Sequence, residues 1–385
     1  MYRISIFSFL VLMNFSIYSQ ATTPAYFESV IYNIESITVN SHKNEFIIAG
    51  RQSTRKGDTL VLAKIVDNKQ IEWKISYYYE GRDLYPQNII QNDDIVIILL
   101  KTITLYNHLQ NKREEGNGLI LCYDKKGSLI WKKETAYIPI SAAFIGQRNF
   151  VVSYLFNYMD GIIQRFNMLG VSLFDTLGSE FKNVTLKDAI PYSSGVFLRY
   201  IKELKEIEVV FTLLNDTYAN VKKTNLNESL QITKECENQI DFSMISKIER
   251  DNQDVIIGQS FNKKTRTRNL LVQSFNCDNK TNNLSISESI NLGESIWISG
   301  NYVLISKTEE IIVYKLDKSN DKLKMIYKFN TKDNFYNLSV DEKGKLVGWV
   351  LKPSNDEKEP FKTMLGVVEI NINKLLGTGL KPCAR

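Results

Sequence analysis

The chain has 385 residues, of which 43% are hydrophobic and 11% aromatic; that is enough apolar surface for a large core, and it excludes an intrinsically disordered chain. Lys and Arg number 48 against 43 Asp and Glu, a net charge of +5, too slight a balance to name nucleic acid as a partner. Four cysteines are too few for a disulfide-built scaffold, so the core has to carry the stability.

Residues 1–21 read as a secretory signal peptide: Arg3, an apolar run from Ile4 to Tyr18, then Ser19, Gln20 and Ala21. The run is interrupted by Ser5, Ser8, Asn14 and Ser16 and falls short of the roughly 20 residues that cross a bilayer. The expectation is cleavage near Ala21 and a secreted, periplasmic or extracellular protein with no membrane span. Residues 22–376 are expected to form one domain, followed by a tail over 377–385. Sequons at Asn183, Asn215, Asn227, Asn279, Asn283 and Asn337 do not establish a glycosylating host, because a chain this rich in Asn, Ser and Thr supplies nearly as many by chance.

From Ser36 to Ser76 four short β-branched and aromatic runs follow one another, SITVN, EFIIAG, TLVLAKI and IEWKIS, each ended by turn formers. Asp67-Asn68-Lys69-Gln70 joins the last two as an antiparallel hairpin. The quartet returns between Gln87 and Glu134 as QNII, DIVIILL, GLILCYD and SLIWKKE, with Lys125-Lys126-Gly127 turning the last hairpin. A third copy reads AAFIG, NFVVSYL, GIIQRFN and VSLFDTL from Ala142 to Leu177. A fourth reads KDAIPYS, GVFLRYI, EIEVVFTLL and LQITKECE, with an insertion around Thr217 to Glu228. Further second strands are expected near Val255, Tyr302 and Leu346, a repeat of roughly 45 to 60 residues that suits propeller blades and not the shorter solenoid repeats.

The seventh unit offers FYNLSV, KLVGWVLK and TMLGVVEI but no fourth strand, while Tyr26 to Tyr32 is left over at the other end. The expected fold is therefore all-β: a single seven-bladed β-propeller of four-stranded antiparallel blades, closed by that N-terminal strand so that no sheet edge stays open. A β-sandwich is the alternative, though it leaves the repeated quartets unexplained.

The segments FIIAG and LVLAKIVDNKQIEWKISYYYEG, with LILCYDKKGSLIW in the second unit, resemble the quinoprotein-like propeller repeats of secreted bacterial proteins. The resemblance covers about the first three units and implies the fold, since such repeats carry many functions. Quinoprotein dehydrogenases hold their cofactor with dedicated ligands and often a vicinal disulfide, and adjacent cysteines do not occur here. The paired Gly-His and Trp-Asp signatures of WD-type propellers do not recur. Ser339, Asp341 and Gly344 miss the spacing of a sialidase box by one residue.

Two histidines, His42 and His108, fall in different blades, which leaves no histidine-based metal site. The pairs Asp93-Asp94, Glu114-Glu115 and Glu309-Glu310 read as solvated turns rather than glycosidase carboxylates facing one bond. Trp73 and Trp131 hold equivalent places in two units, which points to packing between blades and not to a stacking site. Cys122 reads as a buried apolar residue. Cys236 and Cys277 are expected near strand ends on opposite faces, so a bond between them needs a different register.

What invites a functional reading is the loops joining second and third strands, expected on one face of the ring. Residues Gly50 to Asp58 bring Arg51, Arg55 and Lys56; Lys101 to Gly118 bring Tyr106, His108, Lys112 and Arg113; Phe261 to Asn269 bring Lys263, Lys264, Arg266 and Arg268. Clustered cations on a rigid scaffold suit carboxylate, sulfate or phosphate, and the same charges also serve solubility. The expected function is a non-catalytic binding or scaffolding propeller whose partner is a protein or an anionic polysaccharide, with no cofactor, metal or nucleic acid. The alternative is a propeller hydrolase or lyase acting on extracellular polysaccharide.

Overall fold

The structure, a computed structural model, describes residues 25–27, 34–42, 45–54, 57–66, 70–79, 81–104, 117–160, 164–186, 191–214, 219–240, 249–250, 255–262, 267–274, 283–290, 295–299, 302–307, 310–317, 322–330, 335–340, 345–353 and 363–371. Among the described residues there is no helix, and the strands form seven four-stranded antiparallel sheets.

After β1 (Ala25–Phe27), the first sheet holds β2 (Ile34–His42), β3 (Glu45–Thr54), β4 (Gly57–Val66) and β5 (Gln70–Tyr78). The second holds β6 (Arg82–Gln91), β7 (Ile95–Thr104), β8 (Gly118–Asp124) and β9 (Leu129–Thr135), and the third β10 (Ile138–Ile145), β11 (Asn149–Asp160), β12 (Gln164–Asp175) and β13 (Glu180–Leu186). The fourth comprises β14 (Pro191–Ile201), β15 (Glu206–Leu214), β16 (Ala219–Asn227) and β17 (Ile232–Ile240). The fifth comprises β18 (Glu249–Arg250), β19 (Val255–Asn262), β20 (Thr267–Ser274) and β21 (Asn283–Ile290), and the sixth β22 (Ser295–Ser299), β23 (Tyr302–Lys307), β24 (Glu310–Asp317) and β25 (Lys322–Asn330). The seventh sheet contains β26 (Phe335–Val340), β27 (Lys345–Pro353) and β28 (Thr363–Asn371), and its outer strand is β1, with Tyr26 opposite Gly366. The first and last described strands thus share one sheet. First strands of successive sheets touch throughout, and β26 touches β2.

Two parts of the sequence reading are corrected. In the third sheet QRFN and VSLFD belong to one strand, β12, which runs through Gly170 opposite Tyr154; Gly161 to Ile163 lie outside the described residues, and the fourth strand is β13, EFKNVTL. In the fourth sheet PYSSGVFLRYI is one strand, and the supposed insertion supplies β16. The reason is the same in both places: the short hairpin lies at Asp175–Ser179 and at Asn227–Gln231, beyond the Gly and Ser residues that look like breaks. Cys236 also moves, to the middle of β17 opposite Lys223; it is disulfide-bonded, to a residue outside the described ones.

Middle strands such as β7 (IVIILLKTIT) are apolar on both faces because a sheet packs on each side. Ile47, Leu62, Val96 and Leu121 meet between the first two sheets. Ile97, Ile120, Phe150 and Phe174 meet between the second and third, Val151, Val171, Val209 and Leu230 between the third and fourth, and Trp297, Leu304, Leu338 and Leu346 between the sixth and seventh. Burial of each such side chain contributes roughly 1.5–3 kcal/mol. Outer strands such as β5 alternate half-buried with exposed positions.

One turn is repeated in three successive sheets. Asp124, Asp175 and Asn227 each accept, through Oδ1, backbone N–H bonds from residues two and four further on, at 2.7–3.0 Å. The fourth residue of each turn has positive φ: Gly127 (88°), Gly178 (88°) and Leu230 (55°). Trp73 Nε1 donates to the Lys125 carbonyl at 2.9 Å, and Trp131 Nε1 to the Thr176 carbonyl at 2.9 Å. A Cβ on Gly127 or Gly178 would lie 3.0 or 2.9 Å from the ring of Trp73 or Trp131, so each indole lies on a glycine as well as bonding to its turn. Ions reinforce the first of these junctions. Lys64, 4% exposed, bridges Glu45 at 3.1 Å and Glu72 at 2.8 Å, and Lys125 reaches Glu45 at 3.1 Å and Gln91 at 2.8 Å.

Candidate functional site

Arg51 is a strand residue rather than a loop residue: it lies in β3 opposite Leu60, and its guanidinium sits 4.4 Å from the centre of the Tyr85 ring in the second sheet. A cation held over an aromatic face within about 6 Å is committed to that contact, so Arg51 joins sheets. Arg268 lies in β20 opposite Phe261 and Ile290. Both were expected in loops; the hairpins are tighter than that, closing at Thr54–Gly57 and Asn262–Thr267. Arg55, Lys56, Tyr106, His108, Arg113, Lys263, Lys264 and Arg266 lie outside the described residues. His42 ends β2.

Register builds a different site. On the face that the third sheet turns toward the second, Tyr154, Gly170 and Thr185 form one cross-strand row, and Val152, Ser172 and Asn183 form the next. The second sheet turns Gly118, Ile120 and Cys122 of β8, with Thr135, Lys133 and Trp131 of β9, toward the third. Where Gly170 carries no side chain, a cleft of about 460 Å³ opens between β9 and the β12–β13 pair. Its wall continues through Ala136 and Tyr137, the connection from the second sheet to the third. That connection crosses close over Gly118, where a Cβ would collide with Thr135 Oγ1, the Tyr137 carbonyl and Pro139.

Charges at the cleft are already engaged. Glu134 accepts a hydrogen bond from the Tyr79 hydroxyl and lies 3.9 Å from Arg82. Glu180 pairs with Lys133 at 3.5 Å and accepts from Asn183 at 3.5 Å, and the Lys133 ammonium lies 4.8 Å from the Phe174 ring centre. Burial, with the bond to Glu134, pushes the Tyr79 phenol up to about 12. The Tyr154 hydroxyl is different: the residue is 4% exposed and borders the cleft, and its buried oxygen has no hydrogen-bonding partner among the described residues. Burial, followed by the nearby charge of Glu180, raises its pKa and keeps it a neutral donor. That hydroxyl has no accessible surface; what the cleft presents is a wall of hydroxyl and amide side chains, Thr135, Ser172, Asn183 and Thr185. Among the described residues no group of three His, Cys, Asp or Glu side chains is placed to hold a metal. Cys122 is buried, and burial pushes its thiol up to about 12, so it is inert at neutral pH.

The sequence reading missed the cleft. Its one local signal was Gly170, since a glycine within a strand marks missing side-chain volume or a close approach.

No family model matches the sequence, and no curated protein matches it. Solved structures do match, 337 chains in all. The polysaccharide lyase Uly1 is similar with a TM-score of 0.53 at 10% identity, over 92% of this chain and 94% of that one. U3-55K has a TM-score of 0.50 at 10% identity, over 90% of this chain and 98% of that one. A functionally unknown protein from Desulfotomaculum acetoxidans DSM 771 has a TM-score of 0.46 at 11% identity, over 75% and 85%. At these identities the likeness is one of fold, propeller-like in the lyase.

Proposed function

We propose that the seven sheets are the blades of one closed propeller, and that the protein is a non-catalytic binding or scaffolding module working outside the cytoplasm. The ring reading is supported by the unbroken series of first-strand contacts and by β1 completing the seventh sheet. The fold of the lyase, matched over 92% of this chain, supports it too. Export rests on the order of Arg3, apolar run and small residues; among the described residues no helix is long and apolar enough to cross a membrane.

The observation that carries the binding reading is the state of the cleft carboxylates. A glycoside hydrolase needs two carboxyl groups facing one bond, whereas Glu134 is held by Tyr79 and Arg82 and Glu180 by Lys133. The alternative, an enzyme acting on extracellular polysaccharide, shares its fold with a polysaccharide lyase, but fold alone does not carry activity.

The proposed partner is a protein or an anionic polysaccharide approaching the basic hairpins at Arg55 and Lys56 and at Lys263, Lys264, Arg266 and Arg268, with Tyr106, His108 and Arg113 between second-sheet strands. Such attraction is screened beyond about 8 Å at physiological ionic strength. The test incubates the exported protein with anionic and neutral polysaccharides and measures both retention and new chain ends. The reading expects salt-sensitive retention, weakened by replacing Arg55, Lys263, Lys264 and Arg266 with serine, and no new chain ends. New reducing or unsaturated ends in proportion to added protein would overturn it.

A further inference from the structure

We infer that the long hairpin of the third sheet is an arm through which two copies of this chain pair, edge to edge along β12. The inference is independent of the binding reading above and goes beyond it. Strand β10 accompanies β11 only from Asn149 to Leu155, and β13 accompanies β12 only from Phe174 back to Leu169. Five further pairs, from Phe156 opposite Met168 to Asp160 opposite Gln164, join β11 to β12 with no third strand among the described residues. At a rise of about 3.3 Å per residue this two-stranded ribbon runs roughly 16 Å past its own sheet. Two strands alone are marginally stable in water and gain from further strands.

The contrast with the other free edges carries the inference. An exposed edge that is not meant to pair is protected by lysine, proline or a bulge. Outer strands β5, β9, β13, β17 and β25 each combine at least one lysine with a register shift against the neighbouring strand. Strands β11 and β12 pair through twelve positions with no shift, and neither contains lysine or proline. The free edge of β12 lies on the side of β13, away from β10, the strand that touches β6 and β14 in the neighbouring sheets.

The sequence of this edge suits a second copy of itself. Two identical edges running antiparallel are related by a twofold axis, and such a contact closes after two molecules. With the axis at Phe166, that residue stands opposite its own copy, Arg165 opposite Asn167 and Gln164 opposite Met168. Because Tyr158 is level with Phe166 in the ribbon, the pairing sets four aromatic positions in one cross-strand row, a favourable combination. Asp160 and Arg165 are the ribbon's two charged residues, one of each sign, and in this register neither meets its like. The ribbon also reaches beyond the screening length of about 8 Å at physiological ionic strength, so the net charge of +5 is largely screened at the contact.

Five residue pairs bury a small area, so the dimer is expected to be reversible, with a dissociation constant on the order of 10 µM. Sedimentation equilibrium of the exported protein from about 1 to 200 µM, a range that brackets this constant, tests it. Phe166→Lys sets two like charges opposite each other and weakens association at least about tenfold, with the unfolding temperature unchanged because the ribbon lies outside the four-stranded part of the sheet. Asn183→Lys, on the exposed outer strand β13, changes neither quantity. In a second measurement Phe166→Cys links two chains under mild oxidation and releases them on reduction, whereas Asn183→Cys leaves single chains. A single-chain mass throughout the range overturns the inference. So does a dimer whose affinity Phe166→Lys leaves unchanged, or failure of Phe166→Cys to link two chains.

Discussion

The second and third sheets meet as the third and fourth do, through the same turn, yet the space over that turn is filled from opposite sides. Between the second and third, Trp131 projects from the outer strand, bonds to the Thr176 carbonyl and lies against Gly178. In the third sheet the equivalent register position, next to the same bulge, belongs to exposed Lys182. The turn it would have covered keeps its geometry, with Asn227 in place of aspartate, but carries Leu230 where the others carry glycine. Leu230 is buried with Val209 and Phe211. Glycine is needed there because an indole comes close; without the indole, a side chain can accept the positive φ and fill the gap from its own sheet.

A second substitution follows the same divide. Position by position from the turn, Ile47, Ile97 and Val151 in the first three sheets correspond to Glu208 in the fourth. Glu208 is fully buried and held by Arg199 at 2.8 Å and Lys223 at 2.6 Å. Buried ion pairs contribute little net stability against an apolar alternative, but losing one partner is costly.

The largest expected effect comes from the indole junctions. Trp131→Ala and Trp73→Ala should each lower unfolding free energy by about 3–5 kcal/mol, measured by denaturant titration, whereas Lys182→Ala should change it by under about 0.5 kcal/mol. Glu208→Gln is expected to cost about 3 kcal/mol, against about 1 kcal/mol for Ile97→Val at the equivalent place. A sharper test exchanges the two solutions. Lys182→Trp alone should destabilise, because Leu230 occupies the turn, and Leu230→Gly alone should cost about 2 kcal/mol. The double variant should recover part of the sum, with a coupling of about 1 kcal/mol or more; strict additivity would mean that indole and glycine are not linked.

The smallest effect is electrostatic and confined to the first junction. Burial raises the Glu45 carboxyl, but the hydrogen bonds from Lys125 and Lys64 outweigh it and leave its pKa below the ordinary value. A depressed folded pKa gives stability that is present above about pH 4.3 and lost as pH falls through the folded value. Lys64 is raised: burial opposes its charge, and the bonds to Glu72 and Glu45 prevail, so its share is lost only in strong alkali. Wild-type unfolding temperature should therefore fall more steeply than that of Glu45→Gln below about pH 4.3.

The strands were legible where alternation and turn chemistry agreed. Val255, Tyr302 and Leu346 do lie at or next to the start of second strands, and of the run Tyr26 to Tyr32 the first two residues pair with β28, the rest lying outside the described residues. Trp73 and Trp131 were readable as packing residues because they recur at one place in a repeat. Gly170 fell in the gap between GIIQRFN and VSLFDTL because a glycine in a strand has the same letter as a glycine in a turn, and only pairing with Tyr154 separates them. Strand β16, ANVKKTNLN, hid because its polar residues outweigh its apolar ones. The cleft was not legible at all. It is made by residues far apart in sequence that come level only after the bulge between Leu173 and Phe174 has set the register. Arg51 was misassigned for a related reason, since its partner Tyr85 belongs to the next sheet.

The central claim is that one chain closes a single ring through its N-terminal strand. Cysteines placed at Tyr26 and Gly366, which stand opposite each other across β1 and β28, test it directly. Under mild oxidation the account predicts a disulfide within one chain, identified as a single linked peptide by mass spectrometry and lost on reduction. Failure to cross-link, or cross-links formed only between chains, would contradict it.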